Sequence, residues 1–427
     1  MDVFKSAPVK IFRLGDLFTI THGKRLTKSM RVPGSIPLIT AGWQNQGVAE
    51  LIGNAEMPMM HDAITIDMFG HCFYHDGCCT GDDNVYFFEN KKINRSVKLY
   101  ITSCVSNSLQ GEFSYGRQFR QNDADTVAIS LPIEVDDIGH PIIDDTRKYH
   151  PDGFVPDWEY MQNCIVEAER KHIAELEQYQ KEELEQYLAA ADLVDHVLTS
   201  KERNILASSR YTNNVKQQNI IGSYKETREF RVGDLFDIHP TKAYYMSNGQ
   251  IYEQSGHTPV LSNSFSNNGI GGYCGLDPTE DGGIITFSDT TTGVNTMFYQ
   301  CSPFIGYPHV QGMYPKVENA WDEDACMYLI SVMRRTAGAG WNYANKFTRK
   351  KVAEIRTPLP IQTDTAGQPV IDEDKTYHPD GFIPDWEYMA AYIRVIEKLV
   401  IQDVEMHNAQ ILKITKEIVD QNNQSAI

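Results

Sequence analysis

Two sets of residues in this chain of 427 residues have types and spacings suited to chemistry. The first is His71, Cys72, His75, Cys78 and Cys79. Imidazoles and thiolates are the usual ligands of zinc, but such sites draw on paired Cys-x-x-Cys spacings that are missing here. The stretch that aligns with it later in the chain, Thr296 to Cys301 (TMFYQC), holds no equivalent set. The expectation is therefore turn residues and buried thiols, with no metal site. The second set is rich in amides: Gln44, Asn45 and Gln46, and again Asn263, Ser264, Ser266, Asn267 and Asn268. Amide side chains pair with adenine edges in the major groove, and arginine pairs with guanine.

Basic clusters accompany these amides. They are Lys24, Arg25, Lys28 and Arg31; Lys91, Lys92, Arg95 and Lys98; Arg334 and Arg335; and Lys346, Arg349, Lys350 and Lys351. Such clusters hold phosphates. Arg117 and Arg120 lie in YGRQFR (Tyr115 to Arg120), which matches YANKFT (Tyr343 to Thr348) in position and in mixing aromatic with basic residues. Catalytic patterns are missing. Gly338-Ala339-Gly340 leads into Trp341-Asn342 and opens no βαβ unit, and there is neither a Walker phosphate loop nor an Asn-Pro-Pro-aromatic motif. Asp372-Glu373-Asp374-Lys375 resembles the tail of a nuclease site, but its counterpart Asp144-Asp145-Thr146-Arg147-Lys148 keeps the charges without the pattern. A solvated acidic turn is expected at both places, and the chain reads as a binding protein without a catalytic site of its own.

The elements that position these residues occur twice. YHPDGFVPDWEYM (Tyr149 to Met161) returns as YHPDGFIPDWEYM (Tyr377 to Met389), and FRLGDLFTI (Phe12 to Ile20) returns as FRVGDLFDI (Phe230 to Ile238). Between them Pro37 pairs with Pro259, Asn45-Gln46-Gly47-Val48 with Asn267-Asn268-Gly269-Ile270, and Phe73-Tyr74 with Phe298-Tyr299. Leu131-Pro132-Ile133 pairs with Leu359-Pro360-Ile361. This collinear series marks a tandem duplication whose ends match and whose middles have diverged. Each middle is β-rich: strand-like runs at 63–66, 84–88 and 283–287 lie among Gly, Asn, Asp and Pro turns, and short helices fit Val97 to Val105 and Ala325 to Met333. The fold class is α+β.

Each copy then runs into a long helix. Asp157 and Asp385 are good N-caps, and no Gly or Pro follows for dozens of residues. From Trp386, apolar or permissive residues fall at Met389, Ile393, Ile396, Val400, Val404, His407, Ile411, Ile414 and Ile418, in steps of three and four that approach a coiled-coil seam. The first copy keeps this phase from Trp158 to Tyr179 and loses it at Glu183. The two helices are expected to pack as an antiparallel coiled coil, with an interface to another subunit as the competing use. The expected divisions are a first domain at 1–156, a helix at 157–199, a polar connector at 200–227, a second domain at 228–384, a helix at 385–421 and a tail at 422–427. No apolar run approaches the ~20 residues of a membrane span, and Met1 to Phe18 lacks signal-peptide organisation, so a cytoplasmic protein is expected.

With these motifs in place, the chain resembles the specificity subunits of type I restriction-modification systems and the related type IIB subunits. The resemblance rests on Phe12 to Lys28 (FRLGDLFTITHGKRLTK), Ile36 to Val48 (IPLITAGWQNQGV), and their second-copy forms FRVGDLFDI and TPVLSNSFSNNGI. It implies two target-recognition domains that read a split sequence in double-stranded DNA, with helices acting as a ruler. It also implies partners: adenine DNA methyltransferase subunits that use S-adenosylmethionine, with restriction or translocase subunits as further partners and no cofactor in this chain. The candidate contacts are then Lys24, Arg25, Lys28, Gln44, Asn45, Gln46, Arg117, Arg120, Asn263, Ser266, Asn267, Asn268, Lys346, Arg349 and Lys350. Two features depart from the pattern: the second copy replaces GKRLTK with His239 to Tyr245, and Glu175, Glu177, Glu182, Glu183 and Glu185 give the first helix a face suited to protein partners. The net charge of −18 points to weak DNA binding by this chain alone. It also keeps open a rival reading, a duplicated protein–protein adaptor of a defence or phage system that does not read DNA.

Overall fold

The duplication in the sequence is reproduced strand by strand in the computed structural model, which describes residues 7–208, 225–290, 293–317, 319–337 and 346–424. The first copy runs β1 (Val9–Arg13), α1 (Leu14–Leu17), β2 (Thr19–His22), β3 (Pro33–Ile39), β4 (Val48–Ile52), β5 (Met60–Asp67), β6 (Cys72–Gly81), β7 (Val85–Glu89), α2 (Arg95–Leu109), α3 (Gln121–Thr126), β8 (Ala128–Pro132) and α4 (Trp158–Ala190). After α5 (Ser200–Ser208), the second copy runs β9 (Thr227–Arg231), α6 (Val232–Leu235), β10 (Phe236–Pro240), α7 (Asn248–Ile251), β11 (Thr258–Leu261), β12 (Ile270–Cys274), β13 (Ile284–Ser288), β14 (Phe298–Gln300), β15 (Val310–Pro315), α8 (Glu323–Thr336), α9 (Arg349–Glu354), β16 (Arg356–Pro360) and α10 (Trp386–Gln424). The chain forms two compact units, Met1–Glu183 with His407–Ile427, and Leu184–Met406.

In the first unit a six-stranded sheet is ordered β2-β7-β5-β6-β3-β4, and β1 pairs with β8 in a separate ribbon. The second unit repeats this order as β10-β15-β13-β14, with β11-β12 as its own hairpin and β16-β9 as its ribbon. The sheet is split there because β14 has three residues where β6 has ten. A single parallel bridge, Val260 to Ile305, remains where β3 pairs with β6 in the first copy. The repeated F-R-x-G-D-L-F motif has a packing reason. Phe12, Leu14, Leu17 and Phe18 are buried in one core, and Phe230, Val232, Leu235 and Phe236 in the other.

The thirteen-residue repeat forms a joint at the root of each long helix. His150 packs edge-on against Phe12 and Phe154, with ring centroids 5.4 and 5.0 Å away, and its Nδ1 accepts from the Asp152 backbone N–H at 3.0 Å. His378 meets Phe230 and Phe382 at 5.3 and 5.1 Å and accepts from Asp380 at 3.1 Å. Tyr149 packs on Trp158 and Tyr377 on Trp386, at 5.7 and 5.2 Å. Asp157 and Asp385 cap the helices, accepting from the N–H groups of Tyr160 and Tyr388 at 2.8 and 3.0 Å. One turn later Met161 and Met389 are fully buried in the domain cores. The acidic turns just upstream are internally bonded loops: Asp144 accepts from Thr146 and Lys148, and Asp372 from Asp374 and Thr376.

The long helices need two corrections. The first ends at Ala190, not 199, in a Schellman turn: the Leu193 N–H reaches the Leu188 carbonyl, the Asp192 N–H reaches that of Ala189, and Asp192 is left-handed at φ 50°. No glycine marks this stop. The stretch taken for a polar connector begins instead with α5, capped reciprocally by Thr199 and Glu202; residues 209–224 of it lie outside the described residues. The second correction concerns the seam. In α10 the buried positions are Met389, Val395, Lys398 and Ile401; of the expected seam Met389 is buried, while Val400, Ile411, Ile414 and Ile418 are exposed. Buried Lys398 is neutralised by Glu202 at 3.0 Å and Asp195 at 3.4 Å. In the first unit Lys416 pairs with Glu177, and the Asn408 side chain donates to Glu183 at 3.2 Å. With Glu175 near Lys171 and Glu182 accepting from Gln178, four of the five glutamates assigned to outside partners are engaged within the chain.

Gly153 and Gly381 sit at φ 80° and 77° in the repeated joint, where a Cβ would stand 2.7 Å from the Asp144 carbonyl oxygen and 2.5 Å from that of Asp372. Gly153→Ala and Gly381→Ala should each destabilise their own unit by roughly 2 kcal/mol or more. Urea unfolding should show the loss, and unchanged midpoints would mean that the joint yields.

Candidate nucleic-acid interface

The amide-rich stretches form the tips of the β3–β4 and β11–β12 hairpins, built alike in both copies. Asn45 and Gln46 are left-handed at φ 48° and 54°, Asn267 and Asn268 at 50° and 51°, and each pair is followed by a left-handed glycine, Gly47 or Gly269. Asn tolerates this conformation because its short amide bonds locally. Asn45 Nδ2 donates to the Val48 carbonyl at 3.2 Å, and Asn267 Nδ2 to that of Ile270 at 3.1 Å. These two amides therefore shape the turn. Asn268 Nδ2 donates to the Tyr299 carbonyl at 3.0 Å, and Asn263 Nδ2 to that of Pro308 at 3.3 Å. Ser266 bonds Ser264 at 3.1 Å. Gln44 and Gln46 are exposed and bond to nothing among the described residues.

Each tip is pinned at its base to the end of a central strand, by different chemistry. In the first copy buried Asp67, the last residue of β5, accepts from the Gly42 N–H at 2.8 Å and from His71 Nδ1 at 2.9 Å. In the second, Ser288, the last residue of β13, donates to Asn263 Oδ1 at 2.9 Å. Between the pins stand residues that the sequence reading passed over: Trp43 and Phe265, 67% and 69% exposed. The Trp43 ring is braced at 5.1 Å by His71 and at 5.4 Å by Phe73. The signal was available, because both precede the aligned amides by the same two positions.

The basic candidates divide. Lys28, Arg349 and Lys350 are exposed and, among the described residues, form no salt bridge. Lys24 donates to the Glu56 carbonyl at 3.2 Å, Arg25 approaches Asp83 at 3.5 Å while staying largely exposed, and Arg117 pairs with Glu112 at 3.3 Å. Arg120 donates to Gln118, and Lys346 is exposed. The wider clusters are partly structural: Arg31 pairs with Glu50, Arg95 with Glu169 at 2.8 Å, Lys98 is buried, and Arg334 donates to the Met297 carbonyl at 2.6 Å. Tyr343, Ala344 and Asn345 lie outside the described residues, as do Gly338 to Asn342.

The histidine and cysteine group lies along β6 and just before it, not in a turn. Cys72 and Cys79 are buried thiols, and burial pushes Cys79 up to about 12. Among the described residues no cluster of three or more His, Cys, Asp or Glu is arranged to hold a metal. His75 is buried against Thr65, whose Oγ1 lies 3.0 Å from its Nε2.

This duplicated, hairpin-bearing fold belongs to a recognised class. Residues 7–148 and 224–371 each match the type I restriction modification DNA specificity domain. The chain belongs to that family and carries two copies of its domain. It is 24% identical over 165 residues to the type II restriction enzyme BcgI specificity subunit of Heyndrickxia coagulans, across 38% of this chain and 43% of that relative. It is also similar to the crystal structures of the S subunit from M. genitalium (11% identity, TM-score 0.35) and the HsdS subunit from Thermoanaerobacter tengcongensis (10%, TM-score 0.44), over 98–100% of each chain. Among the described residues no helix is long and apolar enough to cross a membrane.

Burial lowers the His75 pKa from 6.5 to about 4, so the folded protein holds it neutral. The unfolded chain then binds the proton more tightly, and the stability this residue contributes is present above pH 6.5 and is lost as pH falls toward 4. Gln300 occupies the same place in the second copy and donates to Thr286 at 3.0 Å. His75→Gln should spare the β5–β6 region roughly 2 kcal/mol of its loss between pH 7 and 4.5. Hydrogen exchange of those strands at both pH values is the measurement, and equal losses in variant and wild type would refute the assignment.

Proposed function

We propose that this chain is the non-catalytic subunit that gives a restriction-modification complex its DNA specificity. Each recognition domain reads one part of a bipartite target in double-stranded DNA. The long helices set the gap between the parts and dock adenine methyltransferase subunits, which bring S-adenosylmethionine; restriction or translocase subunits complete some assemblies. The observation that carries this reading is the pair of hairpin tips, equal in backbone and different in side chains. Two such tips on a shared frame suit two different base sequences. The exposed stripe of Ile411, Ile414 and Ile418 supports docking, since a helix surface of this kind is covered when a partner binds.

Charge placement supports phosphate contacts on α9. In α8 the charges follow the helix dipole, with Glu323 and Asp324 in the first turn and Arg334 and Arg335 in the last. Arg349 and Lys350 open α9 against that preference; among the described residues neither forms a salt bridge, although the Glu354 carboxyl, held below the usual range by Arg231, is lowered further by nearby Lys350. The acid that makes the chain −18 overall is concentrated in the connectors and helices, regions assigned to spacing and docking.

Selection from a pool of random DNA duplexes, using the tagged chain with the subunits that co-purify, should recover a motif of two specific parts separated by unspecified bases. A single continuous motif, or none, would contradict the reading. In the same complex, Lys28→Ala, Arg349→Ala and Lys350→Ala should weaken binding to all duplexes alike. Each should lower the slope of log affinity against log salt by about 1, leaving the motif unchanged; an unaltered slope would remove that residue from the phosphate contacts.

A further inference from the structure

We propose that Trp43 and Phe265 are base-contacting residues, each pressing an aromatic ring on the apolar surface of the bases in its own half of the target. The inference rests on the DNA-recognition reading above and adds residues and a contact chemistry to it. The two rings occupy equivalent places, one residue before the exposed polar position at Gln44 or Ser266 and two before the left-handed pair. Large aromatic side chains bury apolar area at low entropic cost, which makes them the anchors of binding surfaces. Here two of them stand about two-thirds exposed at matching tips of the two domains.

The frame holds these tips in place by unrelated means. A carboxylate accepting from the backbone does it in one copy, through Asp67 and Gly42, and a hydroxyl–amide bond in the other, through Ser288 and Asn263. When two different devices fix the same geometry, the geometry is what is being kept. Trp43 is further braced by His71 and Phe73, so little side-chain freedom remains to be lost on contact.

The chemistry of the contact follows from the pair. Phe265 has no polar side-chain atom, so a role common to both residues is apolar, and hydrogen-bond readout falls to neighbours such as Gln44, Gln46 and Ser266. In DNA the apolar surfaces are the thymine methyl group and the faces of partly unstacked bases. The tips also suit a polyanion: residues 40–48 and 262–270 contain no Asp or Glu, in a chain where Asp and Glu number 57.

The test uses the tagged full chain with its co-purifying subunits, selected on random duplexes as wild type and as Trp43→Ala, Trp43→Phe and Phe265→Ala. Trp43→Ala should lower affinity for the wild-type motif roughly ten-fold and blur one half of it, Phe265→Ala should do the same to the other half, and Trp43→Phe should retain most of the binding. Duplexes with deoxyuridine for thymidine then locate the contact. A loss matching that of the alanine variants indicates the methyl group, and no loss indicates the base faces; either supports the proposal. It is overturned if the wild type selects a two-part motif while both alanine variants keep both halves at full affinity. It is also overturned if those variants lose a co-purifying subunit with the motif intact, which would make the rings a protein contact. A wild-type complex that selects no motif overturns the DNA-recognition reading itself.

Discussion

The joint between each domain and its long helix is the interaction on which the rest of the structure depends. A histidine ring held between two phenylalanines, its Nδ1 fixed by a backbone N–H, closes a turn whose next residues cap and anchor the helix. The second copy repeats every contact within a few tenths of an ångström. Because the helix starts on a fixed residue with a fixed cap and a buried methionine one turn in, its direction is tied to the core beneath it. A loose joint would let the helix swing, and a recognition surface on the domain would then have no defined position relative to it.

Above that joint the two copies preserve strand order and give up continuity. The first keeps one six-stranded sheet, and the second breaks it where β14 is shortened. What survives the break is the hairpin tip and its attachment to a central strand. Thr65 and Thr286 make the same bond to the partner strand, at 3.3 and 3.4 Å, while the residue beside them changes from His75 to Gln300. The two copies thus share a frame and differ in the side chains at the tip.

The duplication, the α+β class, the strand runs and the N-caps were all legible in the sequence, because each leaves a local mark: a repeated string, an alternation, an Asp before an apolar run. Two features left none. The first helix stops at a left-handed Asp192, where glycine is the usual sign, so the stop looked like more helix. The exposed faces of α10 could not be read from spacing, since a three-and-four step describes a stripe without saying what covers it. At the candidate site, residue type marked the two hairpin tips but not the bonds within them. Asn45 and Asn267 were read as candidate base contacts, and their amide nitrogens also hold the turn; the exposure of Trp43 and Phe265 is set by tertiary packing and leaves no mark in the sequence. Lys98 and Arg95 looked like surface charge, and only tertiary packing shows one buried and the other paired.

The central claim is that the two copies are interchangeable readers on one frame. It is tested most directly by a hybrid chain in which residues 7–148 replace residues 224–371, followed by motif selection with the co-purifying subunits. The account predicts a target whose two halves have become the same sequence, with the gap between them retained. A hybrid that folds and assembles but selects the original asymmetric target would contradict it.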